Sequence, residues 1–263
     1  MAPTLTSFVN SFTNRLETPL RQHLKNVYGC LALSSVTAGI GSYVHIYTDI
    51  LQAGLLSTLG ALGLLIALGM TPDNGKNQKL RLGYLLGFAF LSGLGLGPLL
   101  EIVISIDPSI IVTALVGKYL YIITSCCTCR YPGYIYFFLH NSFMQRTTVV
   151  FTSFSISSLY AQRGQWLYLS GTLISLSNIT IILLLANIFL RSALVYQAQL
   201  YLGLALMCGF IIFDTQLIVE KFHMGSKDFI GHSLELFIDF FRVFRYLVEI
   251  LAIKEQNNRK RKE

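Results

Sequence analysis

Long apolar runs without Asp, Glu, Lys or Arg recur along the chain, over residues 27–47, 50–70, 83–100, 165–190 and 192–213. Each is close to the ~20 residues that carry an α-helix across ~30 Å of hydrocarbon. The runs lack the ten-residue alternation of a barrel strand, and backbone N–H and C=O groups in lipid need partners within their own segment. The pattern therefore predicts five membrane-spanning helices. A sixth segment, residues 233–253, is long enough to cross but carries Glu235, Asp239, Arg242, Arg245 and Glu249. Glu235, Asp239, Arg242, Tyr246 and Glu249 follow one another at steps of four, three, four and three, along one helical face. Such a helix is poor against lipid alone. It is expected to line the bundle interior or a wet cavity, or to lie as a re-entrant element with its polar face buried in protein.

Composition agrees. Of 263 residues only 13% are charged and 53% are hydrophobic, with a mean hydropathy of +0.58. Ordinary soluble domains carry about 25% charged residues, so a soluble enzyme is excluded, and disorder needs the opposite balance. The net charge of +7 reads as a topological signal. Arg15, Arg21 and Lys25 precede the first run; Lys76, Lys79 and Arg81 lie between the second and third; Arg163 precedes residue 165; Lys221 and Lys227 follow residue 213. The alternate loops carry Asp49, Asp107 and a single base, Arg191. This bias predicts a cytoplasmic segment over residues 1–26, a bundle over 27–253 and a basic cytoplasmic tail over 254–263. No cleavable signal is expected, since no apolar run precedes residue 27. In the tail, Arg259, Lys260, Arg261 and Lys262 are expected to lie beyond the last helix and to be drawn to anionic lipid. Nucleic acid is not an expected partner, because no aromatic residues interleave these bases.

Other motifs carry less. Cys126, Cys127 and Cys129 cluster, but no second pair or histidine stands at zinc spacing, so no metal site is expected. His23, His45, His140, His223 and His232 are dispersed and suggest no ligand cluster. Asn178-Ile179-Thr180 matches a glycosylation acceptor but lies inside a predicted span and reads as chance. Gly93, Gly95 and Gly97 read as a helix-packing face. Arg245 and Glu249, and Asp239 and Arg242, stand at helical-neighbour spacing for local pairing. Glu101 ends the third run, and Asp214 closes the fifth. Were Asp214 and Asp239 to face each other across two helices, they would form a proton-sharing pair; otherwise they are ordinary interfacial carboxylates.

GFAFLSGLGLGP over residues 87–98, followed by Glu101 and PSIIVTA over 108–114, resembles the signature region of the transmembrane Bax inhibitor motif family. YVHIY at 43–47, QAGLL at 52–56, SLYA at 158–161, MCGFIIFDTQ at 207–216 and LFIDF at 236–240 extend the resemblance over nearly the whole chain. It implies an all-α polytopic membrane bundle of the endoplasmic reticulum, with six spans and a C-terminal re-entrant or seventh helix. It also implies a protein that suppresses cell death and passes calcium out of the store in a pH-sensitive way, with calcium and protons as cargo and no cofactor. The family's paired aspartates map onto Asp214 and Asp239, and Glu101 carries over more weakly; Glu235 and Arg242 stand beside the pair as auxiliaries. The alternative is a non-conducting scaffold that binds membrane proteins governing cell death. An intramembrane protease is disfavoured, since residues 203–214 contain no GxGD motif.

One segment departs from the family pattern. Residues 109–117 and 147–162 would join into a single uncharged fourth span, but the 29 residues 118–146 interrupt it. They hold three of the five cysteines and put Lys118 and Arg146 at a former span centre. Two bases there would cost about 5 to 7 kcal/mol together, so the insert is expected to loop out to a membrane surface, crossing zero or two times. It reads as translated non-coding sequence or as a lineage-specific hairpin.

Overall fold

The computed structural model describes residues 17–48, 54–106, 143–161 and 164–261. They form seven α-helices: α1 (Thr18–Tyr47), α2 (Leu55–Met70), α3 (Gln78–Ile106), α4 (Phe143–Tyr160), α5 (Ser170–Leu190), α6 (Ala193–His223) and α7 (Phe229–Lys260), with a 3-10 turn (Leu167–Leu169) before α5. The all-helical expectation is met. By length and composition α1, α3, α5 with its leading turn, and α6 suffice to cross a membrane, while α2 is apolar but only 16 residues long within the described part.

The helices outrun their apolar cores. α1 begins at Thr18, with Pro19 in its first turn where a missing N–H costs nothing. α6 continues to His223, so Asp214 does not close it but lies two and a half turns inside. α7 runs unbroken through Lys260, which corrects one expectation, since Arg259 sits in the last helical turn rather than beyond it; of the two alternatives for this element, residues 229–260 take the form of one continuous helix. At 1.5 Å per residue its 32 residues reach about 48 Å. Apolarity marks only the part of a helix that faces lipid; the extensions are held by tertiary contacts instead. Arg261 follows the helix, and Lys262 lies outside the described residues, as do Arg15, Asp49, Asp107, Arg163, the Cys126–Cys129 cluster and residues 118–142 of the insert. α4 starts at Phe143, so the last four residues of the insert belong to the helix that continues into Thr147.

α7 is the hub, packing against α1, α3, α4 and α6, while α2 lies on α3 and α5 on α6. Its buried Leu236, Phe237 and Val243 share one core with Val27 and Leu31 of α1, Ala89 of α3, Phe151 of α4 and Ile211 and Ile218 of α6. Farther along, Phe244, Val248 and Ala252 meet Leu96, Leu100 and Val103 of α3 and Ile46 of α1. α7 thus runs the length of α1 and α3 in their own direction. Its basic end leaves the bundle beside the ends of α1 and α3, opposite the loops that carry Lys76, Lys79 and Lys227. The charged face that makes α7 unfit for lipid is tolerated because protein surrounds much of it.

α1 and α3 approach until backbones touch. A Cβ on Gly93 would stand 2.0 Å from the Ala38 carbonyl oxygen, and one on Gly41 2.2 Å from that of Phe90. Gly97 is likewise closed off, by the His45 ring, whereas a Cβ on Gly95 would meet nothing within 4 Å. The packing-face reading therefore holds for Gly93 and Gly97, one turn apart, while Gly95 points outward.

Candidate functional site

α6 and α7 are joined by a short turn in which Gly225 takes a left-handed φ of 98°, and they return antiparallel. Gly203 faces the Tyr246 ring near one end, and Lys221 Nζ bonds Glu235 Oε1 at 2.6 Å near the other. Between these contacts the Asp214 and Asp239 side chains come within hydrogen-bonding reach of each other. Asp239 is 5% exposed, and its Oδ2 is buried with no hydrogen-bond partner among the described residues, as is Oε2 of Glu235 one turn earlier. Buried carboxylate oxygens without donors are costly. This pair is therefore suited to hold a proton between its members or to attract a cation.

A polar seam from α4 adjoins α6 here. Ser158 Oγ donates to the Ile212 carbonyl at 2.7 Å, and Gln216 Nε2 donates to the Ser158 carbonyl at 3.2 Å. The Gln216 Oε1 accepts from the Trp166 N–H at 2.8 Å. Tyr28 of α1 lays its buried hydroxyl near Ser155 and Thr215, but neither it nor the Ser155 hydroxyl has a hydrogen-bond partner among the described residues. The Ser158 and Gln216 hydrogen bonds thus tie α4 and the turn at Trp166 to α6 beside Asp214.

The other expected site residues divide. Glu235 belongs to the cluster, its charge acting on both aspartates. Arg242 acts electrostatically on Asp239 but is itself exposed. Arg245 and Glu249 make their i,i+4 pair at 3.0 Å. Glu101 is not brought to the aspartates. It pairs with His45 at 3.3 Å, and its neighbours Leu100 and Val103 pack on Val248 and Ala252, two to four turns beyond Asp239.

Two contacts had no sequence signal because their partners are far apart in the chain. His23 Nε2 and His232 Nδ1 lie 2.9 Å apart, both rings buried, which overturns the reading of all five histidines as dispersed. Arg81, 5% exposed, grips Asp228 through both terminal nitrogens at 2.8 and 2.6 Å, with Asp73 at 3.4 Å. Asp228 also caps α7, accepting from the Gly231 N–H at 2.9 Å. Burial pushes the Asp228 carboxyl up, but the Arg81 and Gly231 hydrogen bonds outweigh it and hold the group below the ordinary carboxylate range. A lowered folded-state value stabilises above the unfolded one, near 4, and the gain is lost as pH falls through the folded value. Arg81→Leu is thus expected to cost about 2 to 4 kcal/mol at pH 7. In thermal unfolding in detergent, the gap to wild type should narrow below pH ~4.

A family profile described as "Inhibitor of apoptosis-promoting Bax1" matches residues 20–145 and 142–256. The chain belongs to the Bax inhibitor 1 family. Bax inhibitor 1 of Rattus norvegicus is 44% identical over 243 residues, covering 92% of this chain and 90% of that protein. The Homo sapiens protein is 43% identical with the same coverage. The Drosophila melanogaster protein is 37% identical over 95% of this chain and 90% of its own length. That family is one of non-enzymatic membrane proteins. The two profile matches meet at residues 142–145, where the insert ends and α4 begins.

Proposed function

We propose that this chain is a pH-sensitive calcium leak channel or exchanger of the endoplasmic-reticulum membrane and suppresses cell death through it. The observation that carries the reading is the contact of Asp214 with Asp239 inside the bundle, on helices that protein rather than water surrounds. Two carboxylates at contact repel strongly, and one shared proton relieves the repulsion while tying α6 to α7. Loss of that proton leaves two negative charges that draw a divalent cation and push the helices apart. Glu235 adds to the negative field, and Lys221 and Arg242 limit it. Glu101 with His45 forms a separate acidic position nearer the far end of the bundle. In this reading α7 is a seventh span whose charges are carried by its neighbours, which supports a topology of loops bearing Lys76, Lys79, Lys221 and Lys227 on the cytoplasmic side and the tail on the other, in place of the cytoplasmic tail that the basic bias predicts over 254–263.

The test is calcium release from vesicles holding only the purified full chain, followed from pH 5 to 8 against protein-free vesicles. Release that needs the protein and changes with pH supports the reading. No release at any pH would leave the scaffold, and a cell-death phenotype that depends on Arg259, Lys260, Arg261 and Lys262 without ion flux would establish it. The same assay on a chain lacking residues 118–146 should give higher expression and flux, since the deletion restores an uncharged fourth span. Equal or lower activity would make the insert a structural element in its own right.

A further inference from the structure

Between the aspartate pair and the α6–α7 turn stands a second ion pair, Lys221 Nζ on Glu235 Oε1 at 2.6 Å. Lys221 lies seven residues beyond Asp214 on α6, and Glu235 four residues before Asp239 on α7, about 10 and 6 Å along the two helix axes. The Lys221 side chain is 29% exposed and that of Glu235 38%, whereas Asp239 is buried. The ion pair therefore bridges solvent and the buried acids. Only one Glu235 oxygen is taken by the lysine. Among the described residues its Oε2 is buried without a hydrogen-bond partner, as is Oδ2 of Asp239 one turn on. Buried carboxylate oxygens left in this way favour any positive charge that reaches them. Lys221 supplies part of that charge, acting electrostatically on Asp214 of its own helix and on His232 of α7. Its ammonium is a compact charge with three N–H donors on a flexible four-carbon stem, free to swing in a way that a fixed guanidinium fork is not.

We propose that Lys221 is a tethered cation that closes the calcium pathway between the Asp214–Asp239 pair and the side that the proposed topology makes cytoplasmic, so that a divalent cation passes only when the ammonium leaves Glu235 and swings into solvent. The inference rests on the reading of the aspartate pair as a calcium pathway, and adds to it a barrier distinct from the pair's own proton. Three carboxylates sharing one proton carry two negative charges, and Lys221 offsets one of them. A cation on the pathway meets the repulsion of the ammonium where it would otherwise find carboxylate oxygens. With the ammonium gone, Glu235 offers that cation Oε1 as well as the already unpartnered Oε2, the hard oxygen ligands that calcium takes. Arg242 does not fill the same place, since it is exposed and follows Asp239 on α7.

The test is the rate of calcium release at pH 7 from phosphatidylcholine vesicles holding the purified full chain. Lys221→Gln, which keeps a hydrogen bond to Glu235 but loses the charge, should raise the rate about 3- to 30-fold. Lys221→Arg restores the charge and should bring the rate back towards wild type. Adding Glu235→Gln to Lys221→Gln returns the cluster to its original net charge, and most of the gain should disappear. Should Lys221→Gln misfold, Lys221→Cys in a chain whose other cysteines are replaced moves the test into the reconstituted protein. Attaching an aminoethylthio group there restores an ammonium and should slow release, whereas an uncharged methylthio group should not. A wild-type rate in Lys221→Gln, or equal effects of the two thiol groups, overturns the gate and leaves the pH-sensitive leak of the wild type standing. A wild type that releases no calcium at any pH overturns the leak, and the gate with it.

Discussion

Asp214→Asn and Asp239→Asn are each expected to abolish the pH dependence of calcium release from reconstituted vesicles. An amide keeps the shape of the protonated carboxyl and part of its hydrogen bonding but cannot exchange a proton. Each variant should therefore hold, at every pH, the release that wild type shows when its pair is protonated. Across the titration of the pair the ionised-to-protonated ratio changes about tenfold per pH unit, and that dependence should flatten. The contact of the two side chains makes the effects non-additive, so the double variant should look like either single one. Glu101→Gln should leave the dependence in place, because Glu101 pairs with His45 well beyond Asp239 along α7. Thermal unfolding in detergent checks that the bundle survives. Unchanged pH dependence in both aspartate variants would sink the proton-sharing pair.

Gly93→Leu is expected to be the most damaging single change outside the acidic cluster. Its Cβ alone would stand 2.0 Å from the Ala38 carbonyl oxygen, and that neighbour is backbone, which cannot swing aside. α1 and α3 would have to separate, and Gly41 against the Phe90 carbonyl would lose its contact at the same time. Overpacking of this kind costs at least about 1 to 3 kcal/mol, and with backbone against backbone the upper end or beyond is expected. A fall in the detergent unfolding midpoint of roughly 5 to 10 °C would follow. Gly95→Leu, two residues away on the open side, should leave the midpoint within about 2 °C of wild type. Equal loss in the two variants would mean that α3 needs flexibility at these glycines rather than close contact through one of them.

Residues 27–47, 83–100, 165–190 and 192–213 could be read as helices without any structure. In lipid the backbone has one local way to satisfy its hydrogen bonds, so an uncharged run of sufficient length settles both conformation and environment. The placement of α7 inside protein was legible for the same reason: a helix with charges along one face is too costly to leave in lipid. The family was carried by short ordered segments such as FDTQ and LFIDF, and Asp214 and Asp239 came with them.

What periodicity does not contain is which face meets which. Asp214 met Asp239, and Lys221 met Glu235, only because α6 and α7 return antiparallel with one register. Nothing local distinguishes His23 from His45, yet the first closes on His232 while the second reaches Glu101. Arg81 and Asp228 are 147 positions apart and meet because α3 and α7 start at the same end of the bundle. Helix ends were misplaced for a related reason: hydropathy records where lipid begins, whereas α6 to His223 and α7 to Lys260 are extended by contacts with other helices. The sequence by itself determined what each segment is, because solvation of the backbone is decided locally; the tertiary structure alone decided which side chains share a site, because packing is decided between segments distant in the chain.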